Sequence, residues 1–87
     1  MDNKGLKVNV FKLDTGLDTY DDVSYVRITS KDYNLLIMLD YVPIIGEIKG
    51  KVDINTPNGE IKFENIKASF MNSNNVFNLM IQGELNE

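Results

Sequence analysis

Between Leu35 and Gly50 the chain reads LLIMLDYVPIIGEIKG, two apolar runs split by a polar corner that ends in the first proline. The ring of Pro43 fixes its own φ, removes a backbone donor and biases Val42 away from helical geometry. The chain must therefore bend or stay extended at the middle of its 87 residues. Leu35 to Leu39 alone fits a buried strand or a short buried helix, and its shortness and bounding turns favour a strand.

The flanks repeat the extended pattern. Leu6, Val8 and Val10 alternate with Lys7, Asn9 and Phe11 as a half-buried strand requires. Asp14 to Asp22 (DTGLDTYDD) is rich in turn formers and acids and reads as a loop anchored by Leu17 and Tyr20, followed by a strand over Val23 to Thr29. Lys51 to Asn55 and Glu60 to Asn65 pair as a hairpin across Thr56-Pro57-Asn58-Gly59, with Asn-Gly as the turn signal. Ile66 to Met71 and Val76 to Ile81 pair across Asn72 to Asn75, asparagines that tolerate left-handed backbone. Seven or more short strands, with turns every eight to twelve residues or so, predict an all-β antiparallel sandwich of two packed sheets in a single domain over residues 1–87. The expected inward residues are Val8, Val10, Val26, Ile28, Leu35, Ile37, Ile44, Ile48, Val52, Ile54, Ile61, Phe63, Phe70, Leu79 and Ile81, with Gly83 to Glu87 as a polar tail.

Composition narrows the chemistry. Thirteen acids against nine bases leave a formal charge of −4, which disfavours a phosphate backbone as partner. With no cysteine and no histidine, the chain lacks disulfides, thiolate ligands, the usual general base and the commonest metal ligand. Met1 to Lys7 is not apolar enough for a signal peptide, and no apolar run approaches the roughly 18 residues of a membrane span, so a cytoplasmic protein without membrane insertion is expected.

Several constellations resolve to ordinary surface. Asp18, Asp21 and Asp22 lack the ordered spacing of a calcium loop and read as a solvated acidic turn. Asp40, Glu47 and Asp53 flank the corner without the aromatic cleft of a carboxylate-pair enzyme and read as surface charge. Ser24, Ser30, Ser69 and Ser73 have no histidine to activate them, Gly46 and Gly50 are too isolated for a phosphate loop, and Met71 and Met80 read as core or interface filler. No metal, cofactor or catalytic residue is expected. Tyr33, Tyr41 and Val42 stand apart, being large and partly apolar yet placed at turns, where contact with another protein is the natural use.

Taken as an ordered series, these segments resemble the N-terminal β-sandwich domain of the epsilon subunit of F-type ATP synthases. Leu6, Val8 and Val10 match its opening strand, and Tyr20 with Val23 to Thr29 its next β-rich segment. The turn Lys31-Asp32-Tyr33-Asn34 falls at the family's acidic-glycine turn. Leu39-Asp40-Tyr41-Val42-Pro43-Ile44-Ile45 and Ile48-Lys49-Gly50 follow the family's L-P-G-H-A-P-L-L and L-K-P-G signatures. Ala68-Ser69-Phe70 and Asn74-Asn75-Val76 echo a G-G-F strand start and an N-N-V turn. Asp40 and Tyr41 replace the signature's glycine and histidine, and a single β domain without the family's C-terminal helical hairpin is expected.

The resemblance implies a non-catalytic central-stalk subunit of a rotary ATPase, one that clamps a gamma-like coiled-coil subunit and through it meets an alpha/beta hexamer, where hydrolysis resides. By position, Tyr41, Val42 and Gly46 would face gamma, while Lys31, Asp32, Tyr33 and Asn34 would face a c-ring or other load. The altered Asp40-Tyr41 pair suggests a specialised motor, such as one for motility, in place of ATP synthesis. The competing readings are a free-standing β module that binds peptide or carbohydrate and a small enzyme of unfamiliar type.

Overall fold

A computed structural model describes residues 5–85. It contains seven strands: β1 (Leu6–Lys12), β2 (Gly16–Val23), β3 (Tyr25–Ser30), β4 (Asn34–Ile37), β5 (Ile44–Thr56), β6 (Gly59–Ser73) and β7 (Val76–Glu84). They form one sheet in the order β2-β1-β7-β6-β5-β3-β4. The all-β expectation holds, but two separate antiparallel sheets do not: the sheet is single, unclosed and mixed, because β1 runs parallel to β7.

The frame is the β5–β6 hairpin, where sequence patterning suggested three short strands, over Lys51 to Asn55, Glu60 to Asn65 and Ile66 to Met71. Only the second half of β6, from Ile66 to Ser73, pairs with β7, and only the second half of β5, from Gly50 to Asn55, pairs with β3. Each wing of the sheet hangs from a different half of one hairpin. The hairpin changes direction at a bulge between Gly50 and Val52, where Asn65 adopts φ 58°. A Cβ on Gly50 would lie 2.1 Å from the Thr29 carbonyl oxygen, so β3 can approach only because no side chain stands there. Further shifts between Leu6 and Val8 and between Lys67 and Ala68 bend the β1–β2 and β6–β7 pairs. Bulges of this kind increase twist, and here they bring both wings onto a common core.

That core contains Leu6, Val8, Val10, Val23, Val26, Ile28, Ile37, Ile48, Val52, Ile54, Ile66, Ala68, Phe70, Phe77 and Leu79. Phe70 stacks on Phe77 with ring centroids 5.6 Å apart. Leu35, Ile44, Ile61, Phe63 and Ile81, expected inside, are half-buried and pack against its margin.

Four local readings change. The acidic stretch expected as a loop is β2, paired antiparallel with β1 from Lys12↔Gly16 to Leu6↔Val23, so cross-strand bonding overrides its turn-rich composition. In the β5–β6 turn, Asn-Gly does not occupy the centre: Thr56 pairs with Gly59 around Pro57-Asn58, and Gly59 takes φ 128°. Proline supplies the preset φ of the first central position, and the Thr56 hydroxyl accepts from the Asn58 amide at 3.2 Å and donates to the Gly59 carbonyl at 2.6 Å. The β6–β7 turn is shorter than expected, with Asn74 and Asn75 alone in left-handed conformation at φ 52° and 64°. Gly83 and Glu84 belong to β7, whereas Asn86 and Glu87 of the expected tail lie outside the described residues.

Candidate functional site

Strand parity places the exterior side chains. On β5 the inward residues Ile44, Gly46 and Ile48 alternate with Ile45, Glu47 and Lys49. Register carries this outer row across the sheet, Ile45 opposite Met71, Met71 opposite Asn78, and Asn78 opposite Asn9. One step along, Ser69 faces Met80, Met80 faces Phe11, and Phe11 faces Leu17. Ile45 is 75% exposed, and Met71, Met80, Phe11 and Leu17 are each about half exposed, at 46%, 47%, 43% and 53%. Met71 and Met80 sit on diagonal positions, close enough for long side chains to meet. An apolar stripe therefore crosses five strands, from β5 to β2. Beside it a polar ladder fixes β2, β1 and β7: Thr19 Oγ1 donates to Asn9 Oδ1 at 3.0 Å, and Asn9 Nδ2 donates to Asn78 Oδ1 at 2.9 Å.

The stripe was absent from the sequence reading. Its signal was present in part, since Phe11 lies on the opposite parity from Val8 and Val10. Joining Phe11 to Ile45 needs the parallel β1–β7 register, which no local pattern announces. Met71 and Met80, read as core or interface filler, are not core.

The Pro43 corner closes one end of this face. Asp40 takes φ 65°, and the Tyr41 amide donates to the Met38 carbonyl at 3.2 Å, closing a turn. The Asp40 amide donates to Asn75 Oδ1 at 2.6 Å while Asn75 Nδ2 donates to Asp40 Oδ1 at 3.3 Å, which fastens the corner to the β6–β7 turn. Val42 is 65% exposed, as a contact residue requires, but Tyr41 is half-buried against the core. Ile45 points to solvent. Gly46 is not presented outward: it lies within β5, and a Cβ built on it would meet Phe70 Cε1 at 2.9 Å and the Tyr33 hydroxyl at 3.5 Å.

The turn Lys31-Asp32-Tyr33-Asn34 divides in the same way. Lys31, Asp32 and Asn34 are exposed, whereas Tyr33 folds back over Gly46 and donates its hydroxyl to the Glu47 carbonyl. The Lys49 amide donates to Ser30 Oγ at 2.9 Å, and the Lys31 amide donates to the Lys49 carbonyl at 2.9 Å. These bonds cover the free edge of the first half of β5, which no strand occupies. Desolvation raises the Tyr33 phenol above its ordinary 10.0; the Ser30 hydroxyl opposes the shift and the Glu47 carboxylate reinforces it. Asp53, read as surface charge, is only 8% exposed, between its cross-strand neighbours Arg27 and Lys62. Among the described residues no three acidic side chains converge as a metal site would require, and Asp18, Asp21 and Asp22 lie along β2.

No protein-family model matches the sequence, nor does any curated protein. The fold itself is shared. It superposes, with a TM-score of 0.72 at 11% identity, on a chain from the cryo-EM structure of the Tetrahymena thermophila mitochondrial ATP synthase central stalk and c-ring. The match takes in 93% of this chain and 66% of that one, so the present chain spans just under two thirds of the length of its structural neighbour.

Proposed function

We propose that this chain is a non-catalytic stalk subunit of a rotary ATPase that holds a gamma-like coiled-coil subunit against its exterior sheet face. The observation that carries the reading is the apolar stripe Ile45-Met71-Met80-Phe11-Leu17, displayed on a fold shared with a chain of an ATP synthase central stalk and c-ring. A sheet face five strands wide, held by its ladder and apolar along one line, suits the side of a long helix better than a small molecule. Val42 extends the surface at the corner, and Tyr41 supports it from beneath. The partner's hexamer would carry out hydrolysis.

The test is co-purification of the full chain with its coiled-coil partner. Met71→Glu places a charge at the middle of the stripe on a half-exposed side chain, so the fold should survive while the complex weakens by about a hundredfold or more. Tyr41→Ala should weaken it less. A Met71→Glu chain that is folded and retained at full affinity would overturn the assignment of this face.

A further inference from the structure

Although the chain is acidic overall, four lysines gather on one part of its surface. Around the β5 bulge, Lys31, Lys49 and Lys51 line a shallow groove of about 500 Å³ with Thr29, Ser30, Gly50, Glu64 and Asn65. Lys67 stands directly across the ladder from Lys49 on the same outward face. Strand spacing puts these four lysines within roughly 10 Å of one another across three columns, β3 to β6. Among the described residues the recorded ion pair is Lys62 with Glu60 at 3.8 Å, and none of the four lysines takes part in one. Like charges placed directly opposite in a sheet work against pairing, so the fold gains nothing from setting Lys67 against Lys49. Glu64 is the one acid among the lining residues, so the four lysines keep an excess of positive charge.

We infer that this groove binds an acidic segment of a partner protein, a short run of Asp and Glu side chains. Three features choose that occupant. The patch contains no arginine, and lysine ammoniums act as separate point charges, so they suit carboxylates distributed along a chain better than one phosphate held by a fork. The lysines are interspersed with Asp32, Glu47 and Glu64, which would be pressed against an anionic bilayer, whereas a peptide can set neutral residues opposite them. The groove lies between the β3–β4 turn and the bulge and is widely open to solvent, so an extended segment can reach it. Because it rests on charge placement alone, this inference is independent of the stalk reading.

The probe is an eight-residue peptide of alternating Glu and Ser, titrated into the full ¹⁵N-labelled chain at 50 mM salt, with a Lys-Ser peptide as control. Saturable amide shifts are expected at Thr29 to Lys31 and Lys49 to Lys51, fading by 300 mM salt as screening shortens the reach of the charges. Lys67→Glu should weaken binding about tenfold, the effect of reversing one charge at about 6 Å in water. The same change should leave the thermal midpoint equal or higher, because it turns a repulsive cross-strand pair into an attractive one. Loss of binding in a chain that is at least as stable cannot be assigned to misfolding. The inference falls if the Glu-Ser peptide fails to bind, if its affinity ignores Lys67→Glu, if the shifts map elsewhere, or if inorganic phosphate or phosphatidylserine vesicles bind the groove while the peptide does not.

Discussion

The Tyr33 hydroxyl lies beside the bare Cα of Gly46 and donates a hydrogen bond to the carbonyl of Glu47, the next residue of the same strand. The glycine within β5 leaves room for the Phe70 ring on its inner side, while the Tyr33 hydroxyl beside it caps the strand edge.

Gly46→Ala tests the fit. The added methyl would lie 2.9 Å from Cε1 and 3.2 Å from Cζ of Phe70, a fully buried ring stacked on Phe77 and unable to swing away. Overpacking of this kind costs about 1–3 kcal/mol, which urea unfolding should read as a lower midpoint with an unchanged slope. An alanine chain as stable as the original would mean that Phe70 and Tyr33 are looser than described.

Tyr33→Phe tests the edge bond. Loss of the hydroxyl leaves the Glu47 carbonyl without its donor and should cost about 0.5–1.5 kcal/mol at neutral pH. The pH dependence follows from the raised phenol. Burial favours its neutral form in the folded state, so this stabilisation is complete below 10.0 and is lost as pH climbs through the higher folded value. The stability gap between wild type and Tyr33→Phe should therefore narrow above pH 10.0, as read by urea midpoints across that range. A constant gap would remove the hydroxyl from the account.

The core was largely legible in the sequence and the exterior was not, for a physical reason. Alternation in Val8-Val10, Val26-Ile28 and Val52-Ile54 reports which side chains leave water, because a local period of two is enough to state it. The stripe through Met71, Met80 and Phe11 depends on pairing between residues far apart in the chain. Asp18, Asp21 and Asp22 misled for the converse reason: their local preference is for turns, and the ladder to β1 outweighs it. At the corner, sequence identified Val42 as exposed but misplaced Gly46, since neither Phe70 nor Tyr33 is near it in sequence.

Asn75 offers a way to loosen the corner alone. Asn75→Gly keeps the left-handed φ of 64° at no steric cost and deletes both bonds to Asp40. Global stability should fall by about 1 kcal/mol, while the Asp40 amide should exchange with solvent much faster. Unchanged exchange at Asp40 would show that the latch does not hold the corner.

Asn72 is buried to 1% exposure, and neither atom of its carboxamide has a partner within the described residues. Asn72→Leu, similar in shape and apolar, should stabilise the chain by about 1–3 kcal/mol by removing an uncompensated desolvation. A lower unfolding free energy for the leucine chain would mean that the amide is satisfied in solution.

The parallel pairing of β1 with β7 bears on how the molecule is made. Asn9 meets Asn78, 69 residues further on, and the ladder between them joins the first strand to the last. During synthesis the apolar side of β1 emerges early and must wait, unpaired on that flank, until β7 has cleared the ribosome. The β5–β6 hairpin can close before then, but the wing that carries the exterior stripe is completed only once β7 is free to pair. A partner offered before β7 has emerged would find no finished face to grip, which sets assembly after the synthesis of that strand.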